Sequence, residues 1–136
     1  MSKMLCLCCG EIYNKEDFKE YPYCPKVSCV SDINLVEIDE NMIYPIKILN
    51  EKGWITRFCC AGHLYESCIS AYISFKEEFC PKVEPPKYWY WDDSTLRTTD
   101  VIKSYFNLVD KQKYLFKFIQ SLLKWCEELP YNPEIY

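Results

Sequence analysis

Apolar residues recur at helical spacing close to the C-terminus. From Leu115 to Leu129 they lie three or four residues apart, and lysine, glutamine and glutamate occupy the opposite face. This pattern predicts an amphipathic helix that ends at Pro130, preceded by a helical turn over residues 101–108. Its buried stripe comprises Leu115, Phe118, Ile119, Leu122, Cys126 and Leu129. Cys126 is therefore expected to be a core residue and not a metal ligand.

A shorter helix is predicted to begin near residue 39. Its apolar positions are Met42, Ile43, Ile46 and Leu49. Asp39 or Asn41 can cap its N-terminus, and Lys52-Gly53 supplies a basic last turn and a left-handed stop. If Asn41 is the cap, Pro45 lies near the first turn of the helix, where a proline is tolerated. If Asp39 is the cap, Pro45 is expected to kink the helix.

Strands are predicted on both sides of this helix. Ile33 to Ile38 and Trp54 to Cys60 have strand composition. From residue 69 to 75 apolar residues alternate with polar or aromatic ones, which predicts one half-buried strand. The apolar set is Ile69, Ala71, Ile73 and Phe75, and the other is Ser70, Tyr72 and Ser74. The stretch FCCAGH lies at or just beyond the end of the strand from Trp54 to Cys60, in the connection to the strand over residues 69–75.

Four consecutive aromatic residues follow two prolines in residues 82–99. They are Tyr88, Trp89, Tyr90 and Trp91. Prolines followed by aromatics favour an extended edge strand or a binding loop. Two interpretations stay open: one pair covers the core and the other is half exposed, or all four form a partner-binding surface.

These elements together predict an α+β protein. The expected fold is an N-terminal zinc-ribbon-like module, followed by a small antiparallel sheet that two helices pack against. The expected limits are residues 1–38 for the module, 39–130 for the α+β domain and 131–136 for a tail.

Charges of both signs are interleaved along the 136 residues, with 16 Lys and Arg against 20 Asp and Glu and a net charge of −4. This balance argues against a basic nucleic-acid binder and favours a protein partner over direct phosphate binding. No apolar run approaches the roughly 18 residues of a membrane helix, and the start MSKMLCLCCGE does not match a secretory signal. We therefore expect a cytoplasmic protein with reduced thiols.

Four of the ten cysteines have the spacing of metal ligands. Cys6 and Cys9 form a CxxC pair followed by Gly10, and Cys24 and Cys29 form a second pair. Tetrahedral zinc takes four thiolate or imidazole ligands, and four protein ligands make a structural site without an open position. The sequence thus predicts structural zinc, and the alternative is a group of free or disulfide-bonded thiols.

The two cysteine pairs resemble the knuckles of a zinc ribbon, which is usually built on CPxCG halves. CLCCG fits that half if Cys6 and Cys9 bind the metal. CPKVSC is two residues longer and lacks the following glycine. Cys8 or a more distant residue therefore remains an alternative to Cys29 as the fourth ligand.

FCCAGH has three interpretations. Cys60, His63 and Cys68, with Cys59 or Cys80, can form a second metal site. Cys60 and His63 can also act as nucleophile and base, although no third positioned group is identifiable. In the third interpretation one of the adjacent cysteines is in the core, and Gly62 and His63 complete a turn.

The run ILNEKGWITRFCCAGH, followed by AYISF, resembles an LNxKGxxTxFCCxGH motif of small zinc-ribbon proteins from low-GC bacteria and their phages. Thr56 to Gly62 is similar to the TxxSCSG stretch of wybutosine-synthesising methyltransferases, with different residues at the serine positions.

The small size, the acidic charge and the Ile-, Lys-, Tyr- and Asn-rich usage also resemble zinc-bearing type II anti-CRISPR proteins. This resemblance implies a non-enzymatic inhibitor from a phage or mobile element that binds a CRISPR effector nuclease in the bacterial cytoplasm. The alternative is a nucleic-acid modifying enzyme or accessory protein that uses Cys60 and His63.

Overall fold

The architecture, taken from a computed structural model, is described for residues 2–6, 9–18, 23–26, 29, 35–60, 68–69, 71–98, 101–102 and 108–135. The helices in these ranges are α1 (Ile43–Glu51) and α2 (Leu108–Glu128). The strands in these ranges are β1 (Ser2–Leu5), β2 (Ile12–Tyr13), β3 (Val36–Asp39), β4 (Thr56–Cys60), β5 (Cys68–Ile69), β6 (Tyr72–Phe75), β7 (Trp89–Asp92), β8 (Thr95–Thr98) and β9 (Val101–Ile102). The predicted α+β fold class is confirmed.

All strand pairs of the described residues are antiparallel, and they form three sheets. The strand orders are β2-β1-β3, β4-β6-β8-β7 and β5-β9. Short 3₁₀ turns cover Lys15–Phe18, Glu40–Met42 and Glu77–Phe79. The β7 strand is an edge strand of the four-stranded sheet, as the proline-rich approach to it predicts.

The N-terminal sheet connects the cysteine pairs to the rest of the protein. Successive side chains of a strand point to opposite faces, so Met4 and Leu5 on β1 differ in environment. Leu5 lies in the main core together with Ile38 of β3. Met4 and Cys6 form a second, smaller cluster with Leu35. The domain limits given above stay a prediction.

Helix α1 begins without the expected side-chain cap. A 3₁₀ turn over Glu40–Met42 precedes the helix, and neither Asp39 nor Met42 makes a side-chain capping hydrogen bond at the two helix starts. The capping prediction for Asp39 or Asn41 is therefore wrong, because the 3₁₀ turn takes the place of a capped start. Pro45 is the third helical residue, where its missing N–H costs no helical hydrogen bond.

The C-terminus of α1 has the predicted left-handed stop. Gly53 has φ +88°, and its N–H donates to Asn50 O at 3.1 Å. The N–H of Trp54 reaches back to Leu49 O at 2.9 Å. These two bonds form a Schellman motif, in which glycine accepts a conformation that other residues adopt with strain.

Helix α2 covers one face of the core with the predicted stripe. Leu115, Phe118 and Leu122 are buried, and Cys126 is fully buried. Burial raises the pKa of the Cys126 thiol to about 12, which fits a core residue. Among the residues that the structure describes, no helix is long and apolar enough to cross a lipid bilayer.

The alternating stretch from Ile69 to Phe75 forms two strands and not one. β5 pairs with β9, whereas β6 lies between β4 and β8. At the break, the Ala71 N–H donates to Thr98 Oγ1 at 2.9 Å, so a side chain replaces a ladder acceptor. The helical turn predicted over residues 101–108 is also wrong at its start, because the β-branched pair Val101–Ile102 forms β9.

Candidate metal centre

Four cysteine sulfurs from two separate chain segments converge beside the N-terminal sheet. Cys6 follows β1 directly and Cys9 lies in the next turn, while Cys24 and Cys29 come from the second segment. The four Sγ atoms lie within 4.8 Å of one another. The Sγ atoms of Cys9 and Cys24 are 3.6 Å apart, and those of Cys6 and Cys29 are 3.8 Å apart. These thiols are close enough to bind one metal ion.

The first cysteine pair is held by a tight turn. The Gly10 N–H donates to Cys6 O at 2.8 Å, and the Cys6 N–H donates to Glu11 O at 3.0 Å. Gly10 has φ +80°, and a Cβ at this position would lie 2.9 Å from Lys47 Cε on α1. Glycine is thus required by the left-handed backbone, and the turn packs against a helix of the main core.

The second pair reaches the site although it departs from the usual spacing. The Cys29 N–H donates to Lys26 O at 2.9 Å, which closes a turn between the two cysteines. Although CPKVSC is two residues longer than the usual half, Cys29 lies beside Cys6, with 3.8 Å between their Sγ atoms. Cys29 is therefore in position to be the fourth ligand, and Cys8 lies outside the described residues.

Hydrogen bonds favour the thiolate at one of the four cysteines. Tyr13 Oη lies 3.2 Å from Cys24 Sγ. Burial opposes ionisation of Cys24, but hydrogen bonds from the Tyr13 hydroxyl and the Lys26 amide outweigh it and lower the pKa of the thiol to about 7. The same contact raises the pKa of the Tyr13 hydroxyl, as expected for a donor to a thiolate.

The Cys9 thiol does not share this advantage. Burial raises the pKa of Cys9, and the adjacent Cys6 and Cys24 thiols raise it further. Several thiolates in one small volume repel each other unless a cation lies between them. A divalent metal ion supplies that charge, so this donor set suits a metal better than four free thiols.

Sequence reasoning missed the residues that surround the cysteines. Tyr13 lies on β2, opposite Met4 of β1, and it packs against the cysteine cluster. Leu35 is a buried member of the same cluster. The available signal was the Ile12-Tyr13 pair directly after the first knuckle, because the strand leaving such a turn folds back along the strand that entered it.

The predicted second metal site depends on side chains that the structure does not describe. Within the described residues, Cys6, Cys9, Cys24 and Cys29 are the cluster with metal-binding geometry. His63 and the side chains of Cys60 and Cys68 lie outside the described residues, so this site stays a prediction. Cys59 and Cys80 are described, and both pack partly buried against the main core.

The four aromatic residues of the edge strand separate into two kinds. Trp89 is only 5% exposed, and Trp91 packs partly buried against the core. Tyr88 and Tyr90 are 39% and 40% exposed. This division agrees with the interpretation in which one pair covers the core, and a partner-binding role for these residues stays a prediction.

Comparisons with known proteins return no relatives. No family model matches the chain, and neither a curated protein nor a solved structure matches it.

Proposed function

We propose that Cys6, Cys9, Cys24 and Cys29 bind one zinc ion. Four sulfurs at 2.3 Å from a tetrahedral zinc are separated by about 3.8 Å. The Cys9–Cys24 and Cys6–Cys29 sulfurs lie 3.6 and 3.8 Å apart, whereas a disulfide bond is about 2.05 Å long. The convergence of all four sulfurs within 4.8 Å is the observation that carries this proposal.

The proposed role of zinc is structural. Four protein ligands occupy every position of a tetrahedral ion and leave no site for substrate or water. The apolar cluster around the cysteines is small, with Met4, Cys6 and Leu35 as its buried members. So little apolar area cannot hold the N-terminal segments together alone, and metal binding supplies the missing folding free energy.

Metal content of the purified, untagged protein tests the zinc proposal. We expect one equivalent of zinc per chain, and less than a tenth of that in Cys6→Ser/Cys24→Ser, which removes one ligand from each pair. Cys80→Ser is the matched control, because Cys80 is partly buried outside the cluster, and it should keep full zinc. Equal zinc content in both variants would contradict the assignment.

The protein is further proposed to act by binding a protein partner, without catalysis. A closed metal site offers no chemistry, and burial raises the pKa of both Cys80 and Cys126, which disfavours nucleophilic thiolates there. The net charge of −4 favours a partner with a basic surface. The resemblance to zinc-bearing inhibitors makes a CRISPR effector nuclease of a bacterial host the specific candidate.

Cleavage assays with purified type II effector nucleases test this partner. Increasing amounts of the zinc-loaded protein should reduce target cleavage, and the two proteins should co-elute in size-exclusion chromatography. The double variant that cannot bind zinc should lose both effects. The partner proposal is wrong if the protein neither associates with nor inhibits any effector from a matching host.

A further inference from the structure

A surface cleft lies beside the edge strand β7, and none of the four cysteines proposed to bind zinc lines it. Its volume is about 1060 Å³, and residues 77–85 form one wall. Trp91 of β7 and the β7–β8 turn at Asp93 form the other wall. The volume is at the upper end of the roughly 300–1,000 Å³ of small-ligand pockets, which suits an occupant such as a peptide segment. We call this feature the β7 cleft.

The lining of the β7 cleft combines apolar and acidic residues. Val83 and the Trp91 indole contribute apolar surface. Three carboxylates, Glu77, Glu84 and Asp93, are exposed around it, against one ammonium group. These carboxylates form no ion pair with any residue that the structure describes. Such a lining complements a chain that carries cations, since carboxylates and an indole face both attract them.

Hydrogen bonds from two tryptophans fix the wall of the cleft that residues 77–85 form. Trp91 Nε1 donates to Val83 O at 2.8 Å, and Trp125 Nε1 donates to Glu84 O at 2.9 Å. Ser121 Oγ on α2 donates to Lys87 O at 2.7 Å. The wall is thereby attached to both the sheet and α2, so little conformational entropy is lost when an occupant binds.

We propose that the β7 cleft binds an extended, arginine- or lysine-rich segment of the protein partner. The inference rests on the proposed function as a protein binder and adds the site and the chemistry of the bound segment. The basic side chains pair with Glu77, Glu84 and Asp93, and one of them lies against the Trp91 indole. Charge complementarity thus identifies the occupant, because three acidic groups and one basic group line the cleft.

Fluorescence anisotropy with defined peptides tests the β7 cleft directly. The probe is a fluorescein-labelled peptide of alternating arginine and serine, and the matched probe has glutamate in place of arginine. The cleft variant is Glu84→Gln/Asp93→Asn, in which asparagine tolerates the positive φ of 53° at residue 93. The control variant, Glu16→Gln/Glu134→Gln, removes the same charge from two exposed carboxylates outside the cleft.

The wild-type protein and the control variant should bind the basic peptide with similar affinity. The cleft variant should bind it about tenfold more weakly, and none should bind the acidic peptide. Val83→Lys, which places a cation at a 42% exposed position of the cleft, should weaken binding by a similar factor.

Two results would overturn the proposal. The first is that the protein binds the basic and acidic peptides with equal affinity. An equal loss of affinity in the cleft and control variants counts in the same way, because it indicates non-specific attraction. The second is a wild-type dimer in sedimentation that becomes monomeric in the cleft variant, which shows a second copy of the chain as occupant. The peptide assay does not measure nuclease inhibition. A negative result would therefore reject the β7 cleft as a binding site without rejecting nuclease inhibition through another surface.

Discussion

The Tyr13 hydroxyl forms a hydrogen bond to a proposed metal ligand. It lies 3.2 Å from Cys24 Sγ, and this bond stabilises the thiolate form of Cys24. Tyr13→Phe keeps the ring and removes this bond. We expect one equivalent of zinc to remain, with about tenfold lower affinity in competition with a chromophoric chelator, because groups that support ligands typically contribute 10–100-fold.

Tyr44→Phe provides the control for this hydroxyl. Tyr44 is 63% exposed on α1 and lies outside the cysteine cluster. Its loss should leave zinc affinity unchanged. An equal loss in both variants, or none in Tyr13→Phe, would show that the contact does not support the metal site.

Cys60 and His63 test the enzymatic alternative. Under the binding proposal, Cys60→Ser and His63→Ala lower the melting temperature and leave partner inhibition in place. Under the alternative, they abolish activity on nucleic acid and leave the fold unchanged. Thermal unfolding and inhibition measured on the same preparations separate these outcomes, and loss of function without loss of stability contradicts our account.

The sequence predicts the candidate metal ligands, but it does not predict the residues that support them. Two short cysteine pairs identify four candidates, since a metal imposes close spacing along the chain. The assignment of Cys29 as the fourth ligand stayed open, because no glycine follows the second cysteine pair. In the structure the Cys29 N–H donates to Lys26 O. Tyr13 meets Cys24 through strand pairing, and a contact across eleven residues leaves no periodic mark on the sequence.

Lys52 connects the end of α1 to the end of α2. Its ammonium group donates to the carbonyl oxygens of Cys126, Glu127 and Leu129 at 2.9, 2.8 and 2.6 Å. The last carbonyls of a helix lack partners within it, and a cation there also opposes the helix dipole. Lys52→Met should therefore reduce the free energy of unfolding by about 1–3 kcal/mol in urea titrations.

Lys124→Met serves as the matched change on α2. Lys124 is exposed, so its replacement should alter stability by about 0.5 kcal/mol or less. Equal effects of the two substitutions would mean that the three carbonyl contacts contribute nothing beyond surface charge.

The elements differ in how well local pattern predicts them. α1 and α2 follow from helical periodicity because their core-facing stripes are long, and Gly53 marks the end of α1. β5 and β6 were predicted as one strand, because alternation of side chains is the same in two sheets as in one. Their separation depends on Thr98 meeting Ala71, and strand partners of this kind are fixed by tertiary packing.

The N-terminal sheet links the proposed metal centre to the main core. Leu5 and Ile38 belong to the main core, and Cys6 follows Leu5 directly. Removal of zinc should therefore disorder the cysteine segments and also weaken the core. We expect the melting temperature to fall by at least about 10 °C with a chelator, since about 3 kcal/mol corresponds to such a shift in a chain of this size.

Readdition of zinc should restore the original melting temperature. The variant Cys6→Ser/Cys24→Ser should melt at the chelated value with or without zinc, which controls for effects of the chelator itself. A chelated protein that melts at the same temperature as the zinc-loaded one would show that the cysteine cluster does not stabilise the fold.

X-ray absorption at the zinc edge of the zinc-loaded 136-residue chain tests the proposed metal centre, because it counts the atoms bound to the metal. The account predicts four sulfur ligands at about 2.3 Å, from Cys6, Cys9, Cys24 and Cys29. A coordination sphere with a nitrogen ligand, which in this chain points to the single histidine His63, or with fewer than four sulfurs would contradict it.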